Sequence, residues 1–150
     1  MRLQKMRGVV GLVMLPILAV WPALAARTAV TNTNDSGQGP LRDAITSVSP
    51  DDTIVFGLPT YPATITLSSI LPINASLTIS GPGASNLAIS GNPSVRVLQI
   101  ASAIAVTVSG VTIENGYSSG RRGGILCYGT VTLTNRIVPG TSLVAGMAGS

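Results

Sequence analysis

Along most of this chain, brief apolar stretches alternate with clusters of turn-forming residues. The apolar stretches lie at Thr53 to Phe56, Ile65 to Leu67, Leu77 to Ile79, Leu87 to Ile89, Val95 to Ile100, Val106 to Val108, Val111 to Ile113, Ile125 to Leu126 and Val131 to Leu133. Between them stand Ser80-Gly81-Pro82-Gly83, Ser90-Gly91-Asn92-Pro93 and Glu114-Asn115-Gly116. Short runs rich in Thr, Ile and Val, bounded by such breakers, predict strands. Three of them read alike: Ser76-Leu77-Thr78-Ile79-Ser80-Gly81, Ala105-Val106-Thr107-Val108-Ser109-Gly110 and Thr130-Val131-Thr132-Leu133-Thr134-Asn135, recurring at 29 and then 25 residues. That interval is too long for hairpin partners and suits one turn of a coil made of three short strands.

An antiparallel sandwich would pair successive segments, whereas a parallel β-helix pairs each segment with its counterpart one coil later. The spacing favours the second. Grouped in coils, Ile65, Leu77 and Leu87 come first, then Val97, Val106 and Val111, then Ile125, Val131 and Ile137. Leu77, Val106 and Val131 then form one inward row and Ile79, Val108 and Leu133 another, with Thr78, Thr107 and Thr132 on the outer face. Gly81, Gly110 and Asn135 follow the strands at a corner where positive φ is expected. The fold class predicted is all-β, a short right-handed parallel β-helix of about three to four coils with a small N-terminal capping helix. At about 4.8 Å per coil it is a stub about 15 to 20 Å long.

The cap is read from Pro40-Leu41-Arg42-Asp43-Ala44-Ile45. Leu41, Ala44 and Ile45 fall at i, i+3 and i+4 on one helical face, with Arg42 and Asp43 pointing away. Gly39 or Gln38 is the expected cap and Pro40 the first helical residue. The segments read as 1–25 signal, 26–50 strand and capping helix, 51–138 coils, and 139–150 irregular tail, the last resembling a truncated or frame-shifted end whose final coil would leave an unpaired edge.

Charge changes the picture at the N-terminus. Arg2, Lys5 and Arg7 precede the uncharged stretch Gly8 to Trp21, and Ala23-Leu24-Ala25 places small residues where a signal peptidase needs them, so export with a mature start at Ala26 is expected. Gly8 to Ala26 is barely long enough to span a bilayer. No stable membrane span is expected after cleavage. The formal net charge is +4, but beyond the signal Arg27, Arg42, Arg96, Arg121, Arg122 and Arg136 face Asp35, Asp43, Asp51, Asp52 and Glu114, six against five. Arg121-Arg122 is the one basic pair, a solvated loop rather than a phosphate-binding patch, so no nucleic-acid partner is expected.

Candidate chemistry is sparse. The chain has no His, and its one Lys lies in the signal, so no ordinary base can activate a Ser or Thr. Cys127 is the single cysteine; flanked by Leu126 and Tyr128, it reads as a small buried residue without a disulfide partner. Asp51-Asp52 reads as a solvated turn and Glu114 as a loop residue. Polysaccharide lyases and hydrolases on parallel β-helices need clustered carboxylates, and none is expected to converge here. Gly81-Pro82-Gly83 and Gly120 to Gly124 read as corner turns, lacking the strand-to-helix setting of a phosphate loop. No catalytic, cofactor-binding or metal-ligating residue is therefore assigned. Asn34-Asp35-Ser36 and Asn74-Ala75-Ser76 match glycosylation acceptors. Only Phe56, Tyr61, Tyr117 and Tyr128 could stack on a sugar ring once Trp21 has left with the signal.

The opening Val30-Thr31-Asn32-Thr33-Asn34-Asp35-Ser36-Gly37-Gln38-Gly39-Pro40-Leu41-Arg42-Asp43-Ala44-Ile45 resembles the CSLREAI-type N-terminal segment of exported bacterial right-handed parallel β-helix proteins, with Gly39-Pro40 in place of Cys-Ser. Gly123-Gly124-Ile125 followed by Gly129-Thr130-Val131-Thr132-Leu133-Thr134-Asn135 is similar to their repeats and to those of polymorphic outer-membrane proteins. The resemblance spans about residues 28 to 138 and implies a secreted or cell-surface stalk, often adhesive. The expected function is an exported, non-catalytic β-helix module with a surface-structural or adhesive role, part of a longer protein. Its expected partners are a cell-surface or extracellular ligand or further β-helix coils, and its expected location is extracellular, cell-surface or periplasmic. The alternative is the remnant of a polysaccharide lyase or hydrolase lacking its catalytic coils.

Overall fold

The computed structural model describes residues 24–118, 121–134 and 143–145. Its elements are β1 (Arg27–Val30), α1 (Leu41–Ser47), β2 (Thr53–Phe56), β3 (Ala63–Thr66), β4 (Leu71–Ile73), β5 (Leu77–Ser80), β6 (Leu87–Ser90), β7 (Leu98–Ile100), β8 (Ala105–Ser109), β9 (Thr112–Glu114), β10 (Tyr117–Ser118), β11 (Arg121–Arg122), β12 (Ile125–Cys127), β13 (Thr130–Thr134) and β14 (Leu143–Ala145). Three parallel sheets form, in the orders β1-β2-β5-β8-β13, β3-β6-β9 and β14-β12-β7-β4. Within these sheets each strand pairs with its counterpart one coil away, which makes the chain a short parallel β-helix of about four turns.

The register carries the inward rows. Leu77 pairs with Val106 and Val106 with Val131, while Ile79 pairs with Val108 and Val108 with Leu133, as the repeat spacing predicts. Ile54 extends the second row downward. The second sheet stacks Ile65, Ile89 and Ile113, and the third stacks Leu71, Leu98 and Ile125 beside Ile73, Ile100 and Cys127. Because side chains alternate faces along a strand, every second residue enters one continuous aliphatic core, in which Ile54, Ile65, Ile79, Ile89, Leu98 and Ile113 are fully buried. Cys127 is buried there with a free thiol, as expected of a small apolar side chain.

The predicted coil grouping needs one correction. Ile65 belongs with Ile89 and Ile113, not with Val97 and Ile125, and Val97 is one residue out of step with the Leu98–Ile125 row. The missing element is β4, whose Leu71-Pro72-Ile73 reads poorly as a strand because of its proline. It tolerates Pro72 because it is an edge strand. The Leu71 amide donates to Val97 O (3.0 Å) and Ile73 O accepts from Ala101 N (3.0 Å), so the residue between them is the one whose missing N–H faces the open side.

Two further corrections concern corners. Gly110 has the expected positive φ of 63°, but Gly81 is required for a different reason. A side chain on Gly81 would collide with the Gly110 carbonyl and with Val111 of the next coil. The Arg121-Arg122 stretch, expected to be a plain loop, forms the antiparallel pair β10–β11 at the corner after β9. β14 also lies in the stretch expected to be irregular, where it pairs in parallel with β12. Asn135 and Ile137 fall outside the described residues, as does the expected signal up to residue 23.

At the other end α1 buries Leu41, Ala44 and Ile45 and packs on β1 and β4, closing one end of the core as its periodicity predicts. Pro40 proves to be the N-cap itself, in extended geometry and without a side-chain cap. Pro has neither an N–H nor a side-chain acceptor. The Asp43 carboxylate reaches back one residue further and accepts from Gly39 N at 3.1 Å, a capping-box geometry displaced by the proline.

Candidate functional site

The outer face of the five-stranded sheet is the most regular surface of the molecule. Register places Arg27, Thr53, Thr78, Thr107 and Thr132 in one row across five strands. A second row, two residues along each strand, runs Ala29, Val55, Ser80, Ser109 and Thr134. Strands are about 4.8 Å apart and alternate residues about 6.6 Å, so hydroxyl groups repeat on a grid. The Thr78, Thr107 and Thr132 row is the one the triplets predict, and the fold adds Thr53 and Arg27 below it. Thr78 and Thr107 are half-buried by their neighbours, while Thr132 is exposed.

Beside this grid lies a shallow groove of about 380 Å³ lined by Asp51, Ser76, Leu77, Thr78, Ala105 and Thr107. Ser76 Oγ accepts from the Ala105 amide at 3.1 Å, so one hydroxyl on the rim is tied to the backbone. Asp51 sits at the turn before β2 with φ 70° and is exposed. Chemically the groove offers hydroxyls and one carboxylate, a surface for hydrogen bonding.

Most acids have structural work. Asp35 joins the N-terminal loop, α1 and the corner before β4. Its Oδ1 accepts from Arg42 Nη2 at 2.7 Å and its Oδ2 accepts from the Ser68 amide at 3.0 Å and from the Ser68 hydroxyl. Arg42 spans the junction by also donating to Ser69 O (2.8 Å) and Ile70 O (3.0 Å). Partial burial pushes the Asp35 carboxyl up, but the Ser68 and Arg42 bonds outweigh that and hold it below the ordinary Asp value. The Arg42 of the predicted helix thus points away from the core, as expected, and clamps the cap to the first coil.

Asp52 departs from its sequence reading. Instead of a solvated turn residue it is buried, 7% exposed, with Oδ2 accepting from Ser49 N at 2.8 Å and Oδ1 from Ala26 N at 2.7 Å. Counting back by twos from Ile54 would have placed it inward; the charge made a turn the easier reading. Glu114 ends β9 in the three-stranded sheet, whereas Asp51 stands in the turn before β2 of the five-stranded sheet. Among the described residues no three Cys or acidic side chains gather as a metal-ligating group.

The aromatic residues are dispersed. Tyr61, Tyr117 and Tyr128 are exposed at 39%, 41% and 42%, each in a different part of the coil, and the Tyr61 hydroxyl donates to Phe56 O while accepting from Leu58 N. No helix among the described residues is long and apolar enough to cross a membrane. No protein-family model, curated protein or solved structure matches the chain.

Proposed function

We propose that this chain is an exported, non-catalytic β-helix module with a surface-structural or adhesive role, of the kind its CSLREAI-like opening suggests. The observation that carries the reading is the outer grid of hydroxyls, nearly free of charge and mounted on a continuous aliphatic core. Such a face has almost no charge to desolvate and can make many weak hydrogen bonds at once, which suits broad contact with another surface. The acids support the same reading. Asp35, Asp43 and Asp52 are engaged with backbone or Arg42, which leaves Asp51 in the turn before β2 and Glu114 at the end of β9, in different parts of the coil, as the acids available for acid–base work.

Cell fractionation and protease treatment of intact cells test export: protein retained in the cytoplasm sinks the reading. Beads coated with purified protein test adhesion. Retention on extracellular surfaces should fall with Thr107→Arg, which places a cation in the middle of the grid, and unchanged retention would remove this face from the adhesive role. Unsaturated product from polygalacturonate and calcium would instead establish the lyase alternative.

A further inference from the structure

Asp52 occupies a position that the fold reserves for aliphatic side chains. The register that pairs Thr53 with Thr78 sets Asp52 beside Leu77, and the same inward row continues through Val106 and Val131. A carboxylate in such a row is costly unless its oxygens are satisfied. Here one of the two amides that satisfy it belongs to Ala26. Ala26 also accepts from Thr53 N at 2.8 Å, so the residue is held against β2 through both its nitrogen and its oxygen.

Ala26 is also the residue that the Ala23-Leu24-Ala25 pattern makes first after signal removal. Leu24 is 95% exposed and Ala25 is exposed, so neither of the two residues just ahead of the bond is packed into the core. We propose that cleavage between Ala25 and Ala26 converts the Ala26–Asp52 hydrogen bond into an ion pair that locks β1 onto the first coil; the inference rests on the export reading above. A signal-peptidase-type protease adds one water across the peptide bond. The Ala25 carbonyl leaves as a carboxylate with the departing segment, and the Ala26 nitrogen becomes an amine that takes up a proton from solvent. The donor 2.7 Å from Asp52 Oδ1 is then an ammonium, so a bond that already has a charged acceptor gains the attraction of a second, opposite charge. Processing thus tightens the fold.

The charged groups around this amine are Asp52, the neighbouring Asp51 in the turn and Arg27 on β1, while β2 and β5 carry none. The pairing raises the amine above its ordinary pKa of about 7.7 to 8.0. The added stability is therefore complete below that range and is lost as pH rises through the raised value.

One chemical feature makes the test clean. The only Lys is Lys5, so the processed chain has a single amine, at its N-terminus, and acetylation at neutral pH neutralises that group selectively. The full chain is expressed, the exported protein is purified, its N-terminus is read by mass spectrometry, and denaturant unfolding is measured with and without acetylation. An N-terminus at Ala26 is expected, with acetylation lowering the folding equilibrium constant about threefold or more at pH 6 and having no effect well above the amine's pKa. In Asp52→Asn the acetylation effect should vanish; if that variant does not fold, the pH dependence in the native chain decides. A different N-terminus overturns the maturation step and the export reading's cleavage site. Processing at Ala26 with acetylation-insensitive, or equally sensitive but pH-independent, stability overturns the ion pair alone.

Discussion

The coils and the N-terminal cap are held together by different physics. In the coils each strand offers its neighbour a complementary edge, and rows of Ile, Leu and Val fill the interior from one coil to the next. The cap has no coil beneath it in its own pattern, so its loop amides have no ladder to join. Side chains take that place: Asp43 serves Gly39, Asp35 with Arg42 serves the corner at Ser68 to Ile70, and Asp52 serves Ser49 and Ala26. Three of the five acids of the chain are therefore used where the repeat begins. A solenoid is stabilised by nearest-neighbour interfaces, and its first unit needs a solution of its own.

The largest expected effect breaks the coils. Ile79→Ala removes a fully buried side chain from the middle of an inward row and should cost about 2–5 kcal/mol in denaturant unfolding, with loss of the whole transition rather than of one end. Gly81→Ala should cost about 2–3 kcal/mol, because the added methyl meets the Gly110 carbonyl and one coil must lift from the next; a thermal melt of the variant reads it directly.

The cap should respond locally. Arg42→Met leaves Ser69 O, Ile70 O and Asp35 Oδ1 without their Arg42 donor, at an expected cost of about 1–2 kcal/mol. Amide hydrogen exchange should then rise in the loop 31–40 while β6, β7 and β8 keep their protection; a uniform rise would mean that the cap and coils are one cooperative unit. Asp35 adds a pH signature of the same kind. Its carboxyl is held below the ordinary value, so its stabilisation is complete above about pH 4 and is lost as pH falls through the lower folded value. The stability difference between the native chain and Asp35→Asn should therefore shrink on acidification below that point, and a constant difference would contradict the clamp. The smallest effect is expected on the outer grid, where Thr107→Val should change stability by no more than about 0.5 kcal/mol. A large loss there would show that the hydroxyl row carries structure.

The coils were legible because their residues obey two periods at once. Alternation by two sets the buried face, and the 29- and 25-residue recurrence sets the partner, which together specify the rows at Leu77, Ile79 and Thr78. Where one signal failed, so did the reading. Pro72 masks β4, and without that strand the spacing alone puts Ile65 in the wrong row. The candidate surface was half legible: the Thr row follows from the triplets, while the groove beside it depends on how the turn at Asp51 meets Ser76.

Amphipathic spacing by itself determined that this chain winds into stacked parallel strands and that Leu41, Ala44 and Ile45 close one end, because burial of apolar side chains is set by which residues share a face. Only the tertiary structure decided what the acids do. A carboxylate's role depends on which donors surround it; beside the nearby Arg42 and Ser49, Asp35 and Asp52 each take a donor from 33 and 26 positions away, Ser68 and Ala26, distances at which no local pattern constrains the partner.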